Sequence, residues 1–251
     1  MKLAFSKPTN GLDEQRLMFD RFRQAGYEGL QLKGGQYAAH LDDPSAFQNE
    51  WGDDQALTTA LITGGTLDQS GLAQLRDTIA FAQAVKAERL VFCHGLSRIG
   101  LADEDIAGFA KTLSQVGREA ADQGVALSLH HHFDQPVMHR HDFDVFFDAA
   151  DHDAVHLTVD TAHLVKSGIT DVAGLVRDFA NVIDNLHLKD FADGQWRLLG
   201  EGTIDFPALF EALQDTGYDG WLCVDEETST ELTEAMDRSR AALSSLLQPR
   251  G

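Results

Sequence analysis

Cysteine is scarce in this sequence. Only Cys93 and Cys223 occur, which excludes a disulfide framework, and both sit in apolar runs that read as buried core thiols. Basic residues are also short, 20 against 40 acidic ones, for a net charge of −20. A surface so acidic repels a phosphate backbone, so nucleic acid is excluded as a partner and the surplus reads as a solvated, solubilising face. No run approaches the roughly 18 apolar residues of a membrane-spanning helix. The first residues, MKLAFSKPTNGLDEQ, lack the apolar stretch of a secretion signal. The expectation is a soluble, cytoplasmic protein with no membrane partner. No GxGxxG follows the first strand, and the pairs Gly34-Gly35 and Gly64-Gly65 are too little for a dinucleotide site.

What is present is a rhythm. Short β-rich runs recur about every 30 residues, the length of one βα unit. They are KLAFSK, GLQLKG, LTTALIT, RLVFCH, ALSLHHH, VHLTVD, VIDNLHLKD and GWLCVDEE, beginning at Lys2, Gly29, Leu57, Arg89, Ala126, Val155, Val182 and Gly220. Amphipathic helical patterns lie between most of them. The fourth, DEDIAGFAKTLSQVGREAADQG, opens with acids and ends on Gly124, as a helix dipole and C-cap favour. The second unit is the weakest, since residues 36 to 55 show little helical period. Strands alternating with helices imply a parallel sheet, and eight units in one chain of this length imply a single (β/α)8 TIM barrel spanning residues 1–251 as one domain.

In such barrels the chemistry gathers at the C-terminal ends of the strands. Six of the 11 histidines fall there: His94, His130, His131, His132, His163 and His187. Asp160 ends the sixth strand, Lys189 and Asp190 follow His187, and Asp225, Glu226 and Glu227 end the eighth. Alternation on the seventh strand puts Leu186 and Leu188 on one face and His187 and Lys189 on the other. On the eighth it groups Asp225 with Cys223 and Trp221, and on the fifth it separates His131 from His130 and His132. Imidazoles with carboxylates suit Mn, Zn, Co or Fe, whereas Mg prefers an all-oxygen cage.

The blocks VDTAHL (159 to 164), LHLKDF (186 to 191), GEGTIDF (200 to 206) and GYDGWLCVDEE (217 to 227) resemble, in this order, the xylose isomerase-like TIM barrels. That superfamily contains sugar and sugar-phosphate isomerases and epimerases, hydroxypyruvate isomerases, inosose dehydratases and apurinic-site endonucleases. The resemblance covers the C-terminal half. It implies a divalent metal held by Asp160, His187, Asp225 and His130, with Glu227 and His132 as alternative ligands. His163 matches a substrate-side histidine. Two positions depart from the pattern, because Asp225 and His130 stand where members usually carry glutamates. The triple histidine 130 to 132 is similar to the HHH of inosose dehydratases.

The resemblance implies an isomerase or epimerase that forms an enediolate from a small sugar or polyol. His132, Glu227 and Glu201 are the candidates for its base, and Lys189 is placed either to bind substrate oxygens or to pair with a barrel carboxylate. Superfamily epimerases move a proton with two opposed glutamates, and this chain has neither. That departure supports an alternative, a keto-inositol or keto-sugar dehydratase (a lyase), and a further one, a non-catalytic sugar-binding or partner subunit. No Arg and Lys cluster marks the C-terminal loops, which favours a substrate without phosphate. Barrels of this kind are often homo-oligomers, which the resemblance carries over as an expectation.

Overall fold

The computed structural model describes residues 1–247. Eight of its strands are β1 (Lys2–Ser6), β2 (Gly29–Lys33), β3 (Ala60–Gly65), β4 (Arg89–His94), β5 (Ala126–His130), β6 (His156–Asp160), β7 (Ile183–Leu188) and β10 (Trp221–Asp225). All pair in parallel, and they close in the order β1-β10-β7-β6-β5-β4-β3-β2. The fold is a TIM barrel, as the alternating pattern predicts. Each strand is shielded on both sides, which explains its near-continuous apolar reading.

The helices are α1 (Leu12–Arg21), α2 (Pro44–Trp51), α3 (Gln69–Ala84), α4 (Asp103–Ala121), α5 (Arg140–Ala149), α6 (Thr161–Lys166), α7 (Val172–Asp178), α8 (Phe206–Asp215) and α9 (Leu232–Leu246). Part of the acidic surplus caps them: Asp43, Asp68, Asp171 and Asp205 each accept a backbone N–H from the first turn of the helix they precede. Among the described residues no helix is long and apolar enough to cross a membrane.

Three details differ from the sequence reading. The third strand begins at Ala60, because Gln55–Thr58 form a 3-10 turn in place of its first residues. The weak second unit is built from two 3-10 turns and the eight-residue α2. A small antiparallel hairpin, β8 (Asp190–Ala192) and β9 (Gln195–Arg197), follows β7. As for α4, it stops at Ala121, and Gly124 takes the left-handed conformation just beyond, at φ +76°.

Inside the barrel, Ala4, Trp221 and Cys223 pack on one side, and Ala60, Ile62 and Val91 pack separately. Between strands β2, β6 and β7 the filling is polar. Gln31 and Asn185 exchange hydrogen bonds of 2.8 and 3.1 Å, and Asn185 also donates to Thr158 Oγ1 at 3.3 Å. That layer is the floor of the site.

Two glycines in α4 separate propensity from packing. A Cβ on Gly117 would lie 2.1 Å from the carbonyl oxygen of Ala154, whereas one on Gly108 would meet nothing within 4 Å. Gly108→Ala is expected to stabilise the chain by about 0.5–1 kcal/mol, the ordinary helix gain. Gly117→Ala is expected to destabilise it by roughly 1–3 kcal/mol through overpacking. Urea unfolding of both variants checks the opposite signs.

Candidate metal centre and active site

The site starts from Asp160, the last residue of β6. Its Oδ1 accepts the backbone N–H groups of Ala162 and His163, both at 3.0 Å, and so caps α6. Only Oδ2 remains to face the barrel mouth, where it lies 3.5 Å from His130 Nε2. The next residue, Thr161, accepts from the Lys189 N–H at 3.0 Å through its hydroxyl, and it donates to the Lys189 carbonyl. The end of β6 is thereby pinned to the end of β7.

His187 projects from β7 onto the polar floor. Its Nε2 donates to Gln31 Oε1 at 2.9 Å, which leaves Nδ1 as a buried lone pair without a hydrogen-bond partner, 3.6 Å from Asp225 Oδ2. Burial is the main cause that pushes this ring down to about 3, so it is neutral. His130 stands beside it, ring centroids 4.9 Å apart, with its Nδ1 3.3 Å from the Cys93 sulfur. Burial works against a proton on His130, but the Cys93 sulfur and the Asp160 carboxylate outweigh it and push the ring up to about 10.

His130, Asp160 and His187 offer one ligand atom each within 4.8 Å of one another, all buried. His130 Nε2, Asp160 Oδ2 and His187 Nδ1 have no hydrogen-bond partner among the described residues. Orphaned donors at one point, on two imidazoles and a carboxylate, fit a borderline divalent metal. Asp225 reaches the same mouth but falls outside this set.

Lys189 lies within 2.9 Å of Asp225 Oδ2, 3.2 Å of Asp160 Oδ2 and 3.2 Å of Glu227 Oε2. Burial alone would lower this ammonium. The carboxylates of Asp160, Asp225 and Glu227 outweigh burial and hold it protonated well above the usual lysine range. Lys33, at the end of β2, completes the group at 2.6 Å from Asp225 Oδ1 and 3.1 Å from Glu227 Oε1.

The remaining histidines take defined tautomers. His132 Nδ1 donates to the Phe133 carbonyl at 2.7 Å, so its Nε2 carries a lone pair. The Phe133 N–H donates to His163 Nδ1 at 3.3 Å, so the neutral His163 carries its proton on Nε2. The two rings stack at 3.7 Å, and Trp196 of β9 closes over His163 at 5.0 Å and over Lys189 at 5.2 Å. Burial lowers both rings. His131 points outward and accepts the Asp160 N–H at 2.9 Å, while His94 packs on Phe109 at 4.4 Å.

Several expectations are adjusted by this geometry. Glu201 stays on the rim, paired with Arg238, in a cleft of about 370 Å³ that also holds Glu227 and Trp196. Cys223 is a core thiol, and Cys93 is partly buried, packing beside Ala60, Ile62 and Val91 with its sulfur 3.3 Å from His130 Nδ1. Lys33, Gln31, Cys93 and Trp196 were not singled out by sequence. Lys33 and Gln31 had a signal, since they share one face of GLQLKG at the same barrel end. Trp196 had none, because its hairpin carries no strand pattern.

Asp190 links two of the motifs. Its Oδ2 accepts from Gly200 N at 3.0 Å and Gly202 N at 2.8 Å, and its Oδ1 accepts from Phe191 N at 2.9 Å and Ile204 N at 3.3 Å. A Cβ on Gly202 would lie 2.1 Å from Asp190 Oδ1, so only glycine allows that approach. LHLKDF and GEGTIDF are one folded loop around a buried carboxylate.

A TIM barrel with a His/Asp/His cluster at its C-terminal mouth defines the class. Residues 19–246 match the family model described as xylose isomerase-like TIM barrel, and the chain belongs to that family. Curated relatives include inosose dehydratases of Clostridium beijerinckii, 28% identical over 56% of this chain and 53% of the relative, and of Clostridium tetani, 30% identical over 50% and 48%. The chain thus spans about half the length of the curated relatives it matches. Similar solved structures include 3-keto-D-glucoside 4-epimerase YcjR from E. coli (TM-score 0.75, 19% identity, 98% of both chains covered). The IOLI protein with a bound zinc atom (0.77, 16%, 98% of both) also superposes. Family members are enzymes, among them epimerases and inosose dehydratases.

Asp190→Ala is expected to cost roughly 2–4 kcal/mol, because four N–H groups lose a charged acceptor. Thermal unfolding, together with faster proteolysis between residues 198 and 204, reads the effect.

Proposed function

We propose that this chain is a divalent-metal-dependent lyase acting on a neutral keto-polyol or keto-sugar, of the inosose dehydratase type. The observation that carries the reading is the asymmetry of the mouth. The imidazoles of His132 and His163 occupy the β5–β6 arc, and the ammoniums of Lys33 and Lys189, from the ends of β2 and β7, face Asp225 of β10. The names of the curated relatives support the same choice.

His130, Asp160 and His187 would hold the metal, with Zn, Mn, Co or Fe favoured by two nitrogen donors and one carboxylate. When bound, it supplies positive charge that polarises a substrate carbonyl and acidifies the neighbouring C–H. His132, with its free Nε2 lone pair, takes that proton, while His163 offers Nε2–H to a substrate oxygen. The β C–O bond then breaks, and the departing hydroxyl leaves as water by taking back the proton that the His132 imidazolium now carries. Trp196 covers the histidine pair and restricts solvent there.

The second reading is an isomerase or epimerase on the same enediolate. The general shape of the fold supports it, through neighbours such as L-ribulose 3-epimerase (TM-score 0.78, 19% identity, 98% of this chain and 95% of that one). Epimerisation needs an acid to return the proton on the opposite face, and Asp225 and Glu227 are engaged by lysines.

Chain purified without chelator is expected to carry about one equivalent of metal, lost in His187→Ala, as elemental analysis reads. Chelation is expected to lower the melting temperature. Restoring metal at about 100 times its Kd should return roughly 2.7 kcal/mol.

With keto-inositols and keto-sugars, the product is expected to be one water lighter and to absorb as an enone or diketone. A product of unchanged mass sinks the lyase reading in favour of the isomerase. His132→Gln should lower kcat by roughly 10²–10⁴-fold while metal content stays the same.

A further inference from the structure

Asp225 is the carboxylate that a four-ligand centre would draw from the eighth barrel strand, yet both its oxygens are already engaged. Oδ1 faces Lys33 Nζ at 2.6 Å and Oδ2 faces Lys189 Nζ at 2.9 Å. Glu227 repeats the pattern, with Oε1 3.1 Å from Lys33 and Oε2 3.2 Å from Lys189. The four side chains form a closed ring of alternating charge, and Lys189 and Asp225 within it are almost wholly buried.

The contrast with the metal-ready set is direct. The ring nitrogens His130 Nε2 and His187 Nδ1 face carboxylate oxygens at 3.5 and 3.6 Å, whereas Asp225 Oδ1 and Lys189 Nζ, equally without a hydrogen bond of good geometry, are held by opposite charges at 2.6 and 2.9 Å. Asp160 Oδ2 is contested, since Lys189 Nζ lies 3.2 Å away. Lys189 is therefore a rival for the one carboxylate of the centre, and Asp225 with Glu227 pulls it to the other side. Moving Asp225 onto a metal would strip both lysines of a partner in a buried site, where an unpaired charge is strongly unfavourable.

We propose that Asp225 is a positioning residue and not a metal ligand: with Glu227 it holds Lys33 and Lys189 beside a centre made by three protein groups, His130, Asp160 and His187. The assignment rests on the metal centre proposed above. It predicts that losing Asp225 weakens metal binding only indirectly, by freeing Lys189 to settle on Asp160.

The test is metal affinity by competition with a chromophoric chelator for Zn²⁺, together with the visible spectrum of the Co²⁺-loaded protein. Wild type is compared with Asp225→Asn, Lys189→Met, the double variant and Asp160→Asn. Lys189→Met is expected to bind about tenfold more tightly, since a unit charge 3 Å from a ligand atom is removed. Asp225→Asn alone should bind more weakly. The double variant should return to wild-type affinity or better, with an unchanged Co²⁺ spectrum. It loses one charge of each sign, so it stays neutralised even where the single variant unfolds, and circular dichroism checks the fold.

A double variant as empty as Asp160→Asn, or one with an altered Co²⁺ spectrum, overturns the assignment while leaving the metal centre standing. Wild type that takes up neither ion overturns the centre itself, and the assignment with it.

Discussion

Taking a carboxylate out of water costs several kcal/mol unless cations or N–H dipoles face it, and the barrel mouth holds Asp160 and Asp225 with almost no solvent. Both conditions for keeping them there are met. Asp160 gives one oxygen to the start of α6 and Asp225 gives both to lysines. The lysines in turn come from the end of β2 and from just beyond β7. Three carboxylates against two ammoniums leave one negative charge, which a divalent ion would reverse.

The motifs that point to the family are joined to one another by hydrogen bonds between side chains and backbone. Thr161 of VDTAHL holds both the N–H and the carbonyl of Lys189 in LHLKDF. Asp190 of LHLKDF gathers the amides of GEGTIDF. These contacts tie three of the four patterns together and help fix where Asp160 and Lys189 stand. Glycine at 202 follows from the same loop, since its neighbour is a carboxylate oxygen at sub-contact distance.

The fold was legible because every strand is buried on both faces and every helix on one, so period and composition agree along the chain. The site was legible in part. Strand alternation placed His187, Lys189, Asp225 and His130 on the inner face, and the structure brings them together there. It could not rank Asp225 against the two histidines, because that depends on Lys33, which arrives from β2, far along the chain. It also could not foresee the hairpin carrying Trp196, whose strands of three residues are too short to show a period. Glu201, a carboxylate between glycines, stands beside Arg238 on the rim of the cleft that also holds Glu227 and Trp196.

The tautomers of His132 and His163 bear most directly on chemistry, and one residue sets both. Phe133 offers its carbonyl to one ring and its N–H to the other, so a lone pair and an N–H are presented side by side from rings 3.7 Å apart. Such a pair can remove a proton and steady an oxygen at the same face of a substrate, but it has no counterpart across the mouth, where the carboxylates are bound to lysines. The surroundings also select for charge. With a net charge of −20 on the chain and no ammonium left free at the centre, an anionic substrate would meet both a repulsive field and donors already committed. A neutral polyol meets neither obstacle, because its hydroxyls exchange hydrogen bonds with imidazoles and ammoniums without disturbing the charge balance. These constraints are the ones that the proposed one-sided proton removal from a neutral keto-polyol would meet.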